Sequence, residues 1–309
     1  MFDDLSAGHR AAVEALGSAA DVPLVVGDIR DTDAVRVALR DHDVSAVLHF
    51  AAWLSVGGSV ADPTGYYENN VVGALSLLRA MVQEEVGRLV FSSTCAVYGE
   101  PDETPIRETH PTRPVNPYGE TKLAIERALP HFDRAYGLRA IRLRYFNASG
   151  ADPSGLLGED HDPEIHLLPR AILAVHGGPP LQIFGEDYPT PDGTCLRDYV
   201  HVTDLADAHV LALHALERGA TGAVYNLGTG QPVSVRQVLQ AVERVGGRPV
   251  PWEPAGRRPG DPAVLFAASD RAREELGWRP QLQGLDRIVE TAWAWHETHP
   301  RGYQRASAT

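Results

Sequence analysis

Little in this 309-residue chain could staple, anchor or polarise it from outside. Two cysteines, Cys95 and Cys195, make no disulfide framework; the fold must rest on a core, and the thiols suit a reducing cytoplasm. Cys95 as a nucleophile is not favoured. Basic residues number 28 against 41 acidic ones, a net charge of -13, which argues against nucleic acid or an anionic membrane as partner. No apolar run is long enough to span a bilayer and no signal-peptide pattern opens the chain. There is no internal repeat and no low-complexity linker, and only the tail Arg305–Thr309 is expected to be disordered. The thirteen histidines include no His-x-x-x-His pair on an evident helix with acidic support, so no metal is expected.

What is present is alternation. Short apolar runs at Val22–Val26, Ala46–Phe50, Arg88–Ser92 and Leu138–Tyr145 read as strands, and residues 32–42, 64–84 and 117–136 have helical periodicity. That β-α-β-α order predicts an α/β fold with a doubly wound parallel sheet. Asp62-Pro63 reads as a helix N-cap followed by proline at the first helical position. After Asn147 the pattern changes. Gly/Pro/Asp-rich loops at 149–164, 177–197 and 246–262 predict a smaller, less regular α/β domain over 149–309 that closes on a substrate and interleaves with the first, 1–148.

One constellation carries chemistry. Tyr118 and Lys122 stand one helical turn apart after a proline-rich turn, and Thr94 ends the apolar strand Arg88-Leu-Val-Phe-Ser-Ser-Thr94. A phenol with a pKa of about 10 is a poor base at neutral pH, and an ammonium one turn away is expected to favour the phenolate. A threonine hydroxyl can bond the same substrate oxygen that the tyrosine deprotonates. Tyr118, Lys122 and Thr94 are therefore the catalytic candidates, for hydride-transfer chemistry.

With these residues in place the chain resembles the extended short-chain dehydrogenase/reductase superfamily, and within it the UDP-glucose 4-epimerases. The resemblance runs through Gly27–Arg30, His49–Ala52, Tyr66–Asn70, Phe91–Thr94, Val97–Gly99, Leu143–Asn147, Ile183–Thr190, Asp192–Thr194, Arg197–His201, Tyr225–Gly228 and Arg258–Asp261. It implies a cytoplasmic isomerase of carbohydrate metabolism that interconverts UDP-glucose and UDP-galactose through a 4-keto intermediate with NAD bound throughout. It also implies a homodimer built on helices 64–84 and 117–136.

The resemblance assigns roles one residue at a time. Toward NAD it places Asp3 on the adenosine ribose, Asp28 on the adenine amine with Ile29 packed on the ring, then Phe50, Ala51 and Ala52 at a strand end, Asn69, Tyr118, Lys122 and Tyr145. Asp28 has a second reading as a capping residue. Leu54 stands where relatives commonly carry a cofactor-touching lysine. Toward the sugar nucleotide it places Thr94 and Asn147, Arg197 and Arg258 on the diphosphate, a task suited to planar guanidinium groups, Asp261 on the uridine ribose, and Phe184 near the uracil. His166 reads equally as a phosphate donor or as a helix start. Leu265 reads as a specificity gate, leaving room for an N-acetyl group, or as a core residue.

Two departures shape the expectation. Family members open with a strand, a Gly-x-x-Gly-x-x-Gly turn and a helix whose N-terminus holds the pyrophosphate, whereas Met1–His9 resembles the end of their second strand. Domain 1–148 is thus expected to be an N-terminally truncated Rossmann domain, by a start site assigned too late or by true loss, and to bind NAD poorly as it stands. Its alternative function is a sugar-nucleotide-binding protein without turnover, or another NAD-dependent nucleotide-sugar epimerase. A 4,6-dehydratase is disfavoured because Cys95-Ala96 replaces the Asp-Glu acid/base pair that elimination needs.

Overall fold

A computed structural model describes residues 1–17, 22–258 and 260–303. Its first half alternates β1 (Phe2–Asp3), α1 (Arg10–Ala15), β2 (Val25–Val26), α2 (Thr32–Asp41), β3 (Val47–His49), α3 (Val56–Ala61), α4 (Pro63–Tyr66), α5 (Gly73–Gln83), β4 (Arg88–Thr94), α6 (Pro117–Tyr136) and β5 (Arg139–Tyr145). There follow β6 (Asn147–Ser149), α7 (Leu167–Val175), β7 (Leu181–Phe184), β8 (Leu196–Arg197), β9 (Tyr199–His201), α8 (Val202–Glu217) and β10 (Val224–Leu227). The last elements are β11 (Val233–Ser234), α9 (Val235–Gly246), β12 (Trp252–Ala255), β13 (Val264–Leu265) and α10 (Leu285–Thr298). The tail Arg305–Thr309 and Pro259 of the Arg258–Asp261 motif lie outside the described residues.

The main sheet is parallel, in the order β10-β5-β4-β3, while β1 and β2 pair in parallel with each other. Alternation along β4 explains its central place. Leu89 and Phe91 point into a layer formed by Val35 and Leu39 of α2, Leu77 and Leu78 of α5, and Ile125 and Leu129 of α6. Val90 points the other way, with Ile141 and Leu143, onto Leu205, Ala208 and Ala212 of α8. Each of these large side chains contributes roughly 1.5–3 kcal/mol when fully buried. The product is a helix-sheet-helix sandwich.

Both α8 and β10 lie beyond residue 148, so a division there cuts through one hydrophobic layer rather than between two. A separate core, Leu168, Ile172, Ile183, Val238, Val242, Ile288, Val289 and Trp293, joins α7, α9, α10 and β7.

The expected single helix over 64–84 is interrupted. Asp62 caps Gly65 N–H at 3.0 Å with Pro63 at the first position, as expected, but a π-helical turn at Tyr67–Val72 then separates α4 from α5. That turn holds the adjacent residues Asn69 and Asn70 both buried. Of the run Val22–Val26, only Val25–Val26 forms a strand; Pro23 has no N–H to offer a ladder.

Candidate active site

The ends of parallel strands gather the candidates. Asp3 ends β1, Asp28 follows β2, Phe50–Ala52 follow β3, Thr94 ends β4 and Tyr145 ends β5, all at carboxyl ends of strands, where open α/β sheets bind their ligands. In β4 and β5 the register is direct, with Thr94 opposite Tyr145.

α6 delivers the remaining two. Asn116 accepts a hydrogen bond from Gly119 N–H at 2.9 Å, and Pro117 occupies the first helical position. Gly119 is required: a Cβ there would stand 2.6 Å from the Ala96 carbonyl oxygen. The first turn of α6 therefore rests on the Cys95–Tyr98 turn, which brings the Tyr118 phenol close to the Thr94 side chain. Thr94 also accepts from Ala96 N–H at 3.2 Å.

The electrostatics differ from the expectation in one respect. Burial pushes the Tyr118 phenol above its ordinary value and the neighbouring Tyr145 adds to this, while the nearby Thr94 hydroxyl opposes it. Lys122 is buried and its Nζ donates to the Ser92 carbonyl at 2.9 Å, 5.1 Å over the Phe91 ring. Burial brings its ammonium down to about 8, with Glu126 pulling the other way. One turn of helix puts both side chains on the same face, and the hydrogen bond to β4 fixes where this ammonium stands.

Beneath the site lies a buried polar network. Arg144 forms a two-pronged ion pair with Glu126 at 2.5–3.2 Å and donates to Tyr98 Oη at 2.9 Å. Tyr98 Oη donates to Asn226 Oδ1 at 2.6 Å, and Ser93 Oγ donates to Glu126 Oε1 at 2.5 Å. These bonds tie α6 to β4, β5 and β10.

Several candidates are engaged with neighbours. The Asp28 carboxylate accepts from Arg30 N–H at 2.8 Å and from its guanidinium at 2.5–3.0 Å, a local turn, while the cap of α2 is Asp31; Ile29 packs on Gly73 at the start of α5. Asp3 accepts from Leu5 N–H at 2.8 Å. Phe50 is exposed on one side and stacks at 4.6 Å on His209, Ala51 and Ala52 are partly buried beside it, and Leu54 is exposed. Asn69 donates to Asn70 Oδ1 at 3.1 Å.

On the substrate side, Asn147 begins β6 and its N–H donates to the Asp198 carbonyl at 2.9 Å. Arg197 lies near the 94–98 turn, where its charge opposes the burial that pushes the Cys95 thiol up to about 11. That thiol is a poor nucleophile. The structure pairs Arg197 with Asp261 directly, although they were expected on different parts of one ligand. Arg258 stacks 3.8 Å above the Phe184 ring. Leu265 is opposite Arg197 in the β13–β8 register and packs, partly buried, against the cluster that contains Val97, Tyr98 and Leu123, so both of its readings share one position. His166 is the N-cap residue of α7 without a capping bond; its Nδ1 meets Glu159 instead.

Three residues escaped the sequence reading. His209, in the apolar stripe of α8, bonds Ser92 Oγ at 2.9 Å and lies 6.2 Å from the Tyr145 ring, between the ends of β3 and β5; a lone histidine in a helical stripe gives no signal. Asn70 takes Trp53 N–H at 2.8 Å and donates to the Trp53 carbonyl and Thr121 Oγ1, fixing the 50–54 loop against α6. Asp198 is fully buried and accepts from Thr229 N–H and Oγ1–H, Gly230 N–H and Ala267 N–H at 2.6–3.1 Å, clamping β8 beside β13. Both belong to motifs noted above, without an assigned task.

Comparison with known proteins follows the same outline. Residues 5–228 match the family model "NAD dependent epimerase/dehydratase family". A UDP-glucose 4-epimerase of Halalkalibacterium halodurans is 48% identical over 304 residues, 98% of this chain and 89% of that protein. A crystal structure of UDP-glucose 4-epimerase from Brucella ovis in complex with NAD superposes with a TM-score of 0.90 at 47% identity, covering 94% of this chain and 88% of that one. One from Bifidobacterium longum in complex with NAD+ and UDP gives 0.91 at 38% identity, covering 97% and 91%. No helix among the described residues is long and apolar enough to cross a membrane.

Proposed function

Because the chain belongs to the NAD dependent epimerase/dehydratase family, we propose that it is a UDP-hexose 4-epimerase that interconverts UDP-glucose and UDP-galactose with NAD as cofactor. The observation that carries this reading is the contact of Tyr118 with Thr94 at the carboxyl end of the central strand, beside Tyr145 and Lys122.

The side chains fit the cofactor by their chemistry. Carboxylates at the ends of two adjacent strands, Asp3 and Asp28, suit hydroxyl and amine donors of an adenosine; Ala51 and Ala52 leave room for close backbone approach. Lys122 and Tyr145 would stand at the reactive end. When bound, NAD supplies the hydride acceptor and donor for C4 of the sugar.

The chain's own task is to move a proton and hold the sugar nucleotide. Tyr118 takes the proton of the C4 hydroxyl and returns it, and Thr94 orients that hydroxyl. A phenol raised by burial is a weak base, so positive charge close to it is needed to bring it into range. Arg197 and Arg258 would hold the diphosphate, Asn147 the group beside it, and Asp261 a ribose hydroxyl. That assignment requires the Arg197–Asp261 pair to open, exchanging one charge-assisted bond for others.

Leu265 deepens the reading to substrate breadth. Partly buried opposite Arg197, it is small enough to leave space for an N-acetyl group. The protein is to be assayed with NAD on UDP-galactose and on UDP-N-acetylgalactosamine; conversion of the first to UDP-glucose tests the function. Leu265→Tyr is expected to reduce turnover of the acetylated substrate by about tenfold or more while sparing the plain hexose, since overfilling penalises the larger ligand. Equal losses on both, or no acetylated turnover in the parent, return Leu265 to the core; no turnover of either by protein that holds NAD, as its bound-cofactor fluorescence shows, sinks the epimerase reading.

A homodimer is part of the same reading. Val56, Val60, Tyr67, Val72 and Leu75, on α3, the π-helical turn and α5, are all exposed apolar side chains, a group that a partner helix pair would cover. Light scattering is expected to give twice the chain mass of 33.5 kDa; a monomer at micromolar concentration contradicts it.

A further inference from the structure

The loop between β6 and α7 folds four potential metal ligands onto one point. Glu159, His161, Glu164 and His166 each offer an atom, and all four atoms lie within 4.8 Å of one another. His161 Nδ1 stands 3.3 Å from Glu159 Oε1 and 3.6 Å from Glu164 Oε2; His166 Nδ1 meets Glu159 Oε1 and lies 3.7 Å from Glu164 Oε1. Each imidazole nitrogen thus faces both carboxylates. The two rings are 5.3 Å apart and inclined at 67°, presenting their nitrogens from different directions.

A second observation concerns the burial and bonding of these donors. His161 Nδ1 is buried and makes no hydrogen bond that satisfies distance and angle, although two carboxylates are within reach. Both carboxylates are largely withdrawn from water, with side-chain exposures of 20% for Glu159 and 8% for Glu164. Two like charges in such a place want a cation.

The loop is also held by its own backbone and by distant groups. Glu164 Oε1 accepts from Ile165 N–H at 2.7 Å and His166 N–H at 2.8 Å, which leaves Oε2 free toward His161. Asp160 accepts from Tyr303 N–H at 2.8 Å and pairs with His9 at 3.2 Å; Gly158 N–H donates to Tyr303 Oη at 2.9 Å. Chain segments near both ends therefore converge on the loop and fix its course before any ion arrives.

We propose that Glu159, His161, Glu164 and His166 form a structural zinc site. Two imidazole nitrogens and two carboxylate oxygens in a compact group match the donor set and coordination number of Zn(II), whereas Mg(II) and Ca(II) favour all-oxygen shells of six or more. The ion would lock residues 159–166 and with them the start of α7, whose first residues carry Leu168 and Ile172 into the second core. This assignment stands apart from the epimerase reading, because metal content is measured without turnover.

The test uses the full chain without an affinity tag, stripped by chelator and titrated with zinc chloride by calorimetry, with metal content read by mass spectrometry after dialysis. One tightly held equivalent is expected, together with a raised unfolding temperature. Cobalt(II) in its place is expected to give the intense visible bands of tetrahedral coordination. His161→Ala and Glu164→Gln should each weaken zinc binding by at least about tenfold, more than the loss of an outer partner typically costs, and the double variant should hold no stoichiometric metal. His42→Ala, an exposed histidine elsewhere, should change nothing. Circular dichroism checks that each variant is folded. No zinc retained by the parent, or equal affinity in His161→Ala and the parent, overturns the site.

Discussion

Replacing Tyr118 by phenylalanine is expected to lower turnover of UDP-galactose by at least about a hundredfold, the lower end of what a general base contributes. The substitution removes one oxygen from a partly buried position that contacts Thr94. It leaves Arg197, Arg258 and Asp261 untouched, so UDP binding measured by calorimetry should change by less than about threefold, within the usual error of additive effects between separate sites. The loss should therefore appear in kcat at saturating substrate, not in affinity. A variant that turns over near the parent rate would take the proton-transfer role away from Tyr118. Lys122 is a less clean probe: its ammonium is a buried donor to β4, and its removal would disturb packing as well as charge.

The second large effect is on stability. Glu126→Ala leaves the guanidinium of Arg144 buried, with 7% of its side chain exposed, and without its carboxylate. Removing one partner of a buried ion pair costs about 3–5 kcal/mol, because the remaining charge stays desolvated. Ser93 Oγ loses its acceptor in the same step. Urea denaturation should report this as a lower midpoint, and the double variant Glu126→Leu, Arg144→Met should recover most of the loss, since an apolar pair removes the orphaned charge. A loss below about 1 kcal/mol in the single variant would mean that water or Tyr98 compensates Arg144. Glu126 also holds up the ammonium of Lys122 against burial, so the same variant should bring that group lower still.

The sequence by itself determined the element order and the catalytic segment. Runs such as Leu89-Val90-Phe91 alternate between faces with period two and lie between stretches of helical periodicity, and local pattern of this kind needs no knowledge of distant residues. Tyr118 and Lys122 were legible for the same reason: one helical turn separates them, and Asn116-Pro117 starts that turn locally. The strand-end positions of Thr94 and Tyr145 followed from where the apolar runs stop.

Only the tertiary structure decided which groups share charge. Lys122 reaches Ser92 across the α6–β4 contact, Arg197 meets Asp261 across 64 positions, and Asp198 gathers N–H groups from residues 229, 230 and 267. Such partners depend on how strands and loops are brought together, and a periodic pattern carries no record of that. The Glu159–His166 cluster is the clearest case. Its spacing matches no helical ligand pair, and its four donors converge because the loop is tied by its Asp160 to His9 and Tyr303. Local patterning sets which face each side chain presents, whereas burial, charge pairing and ligand convergence arise only when segments far apart in the chain exclude water from the same small volume.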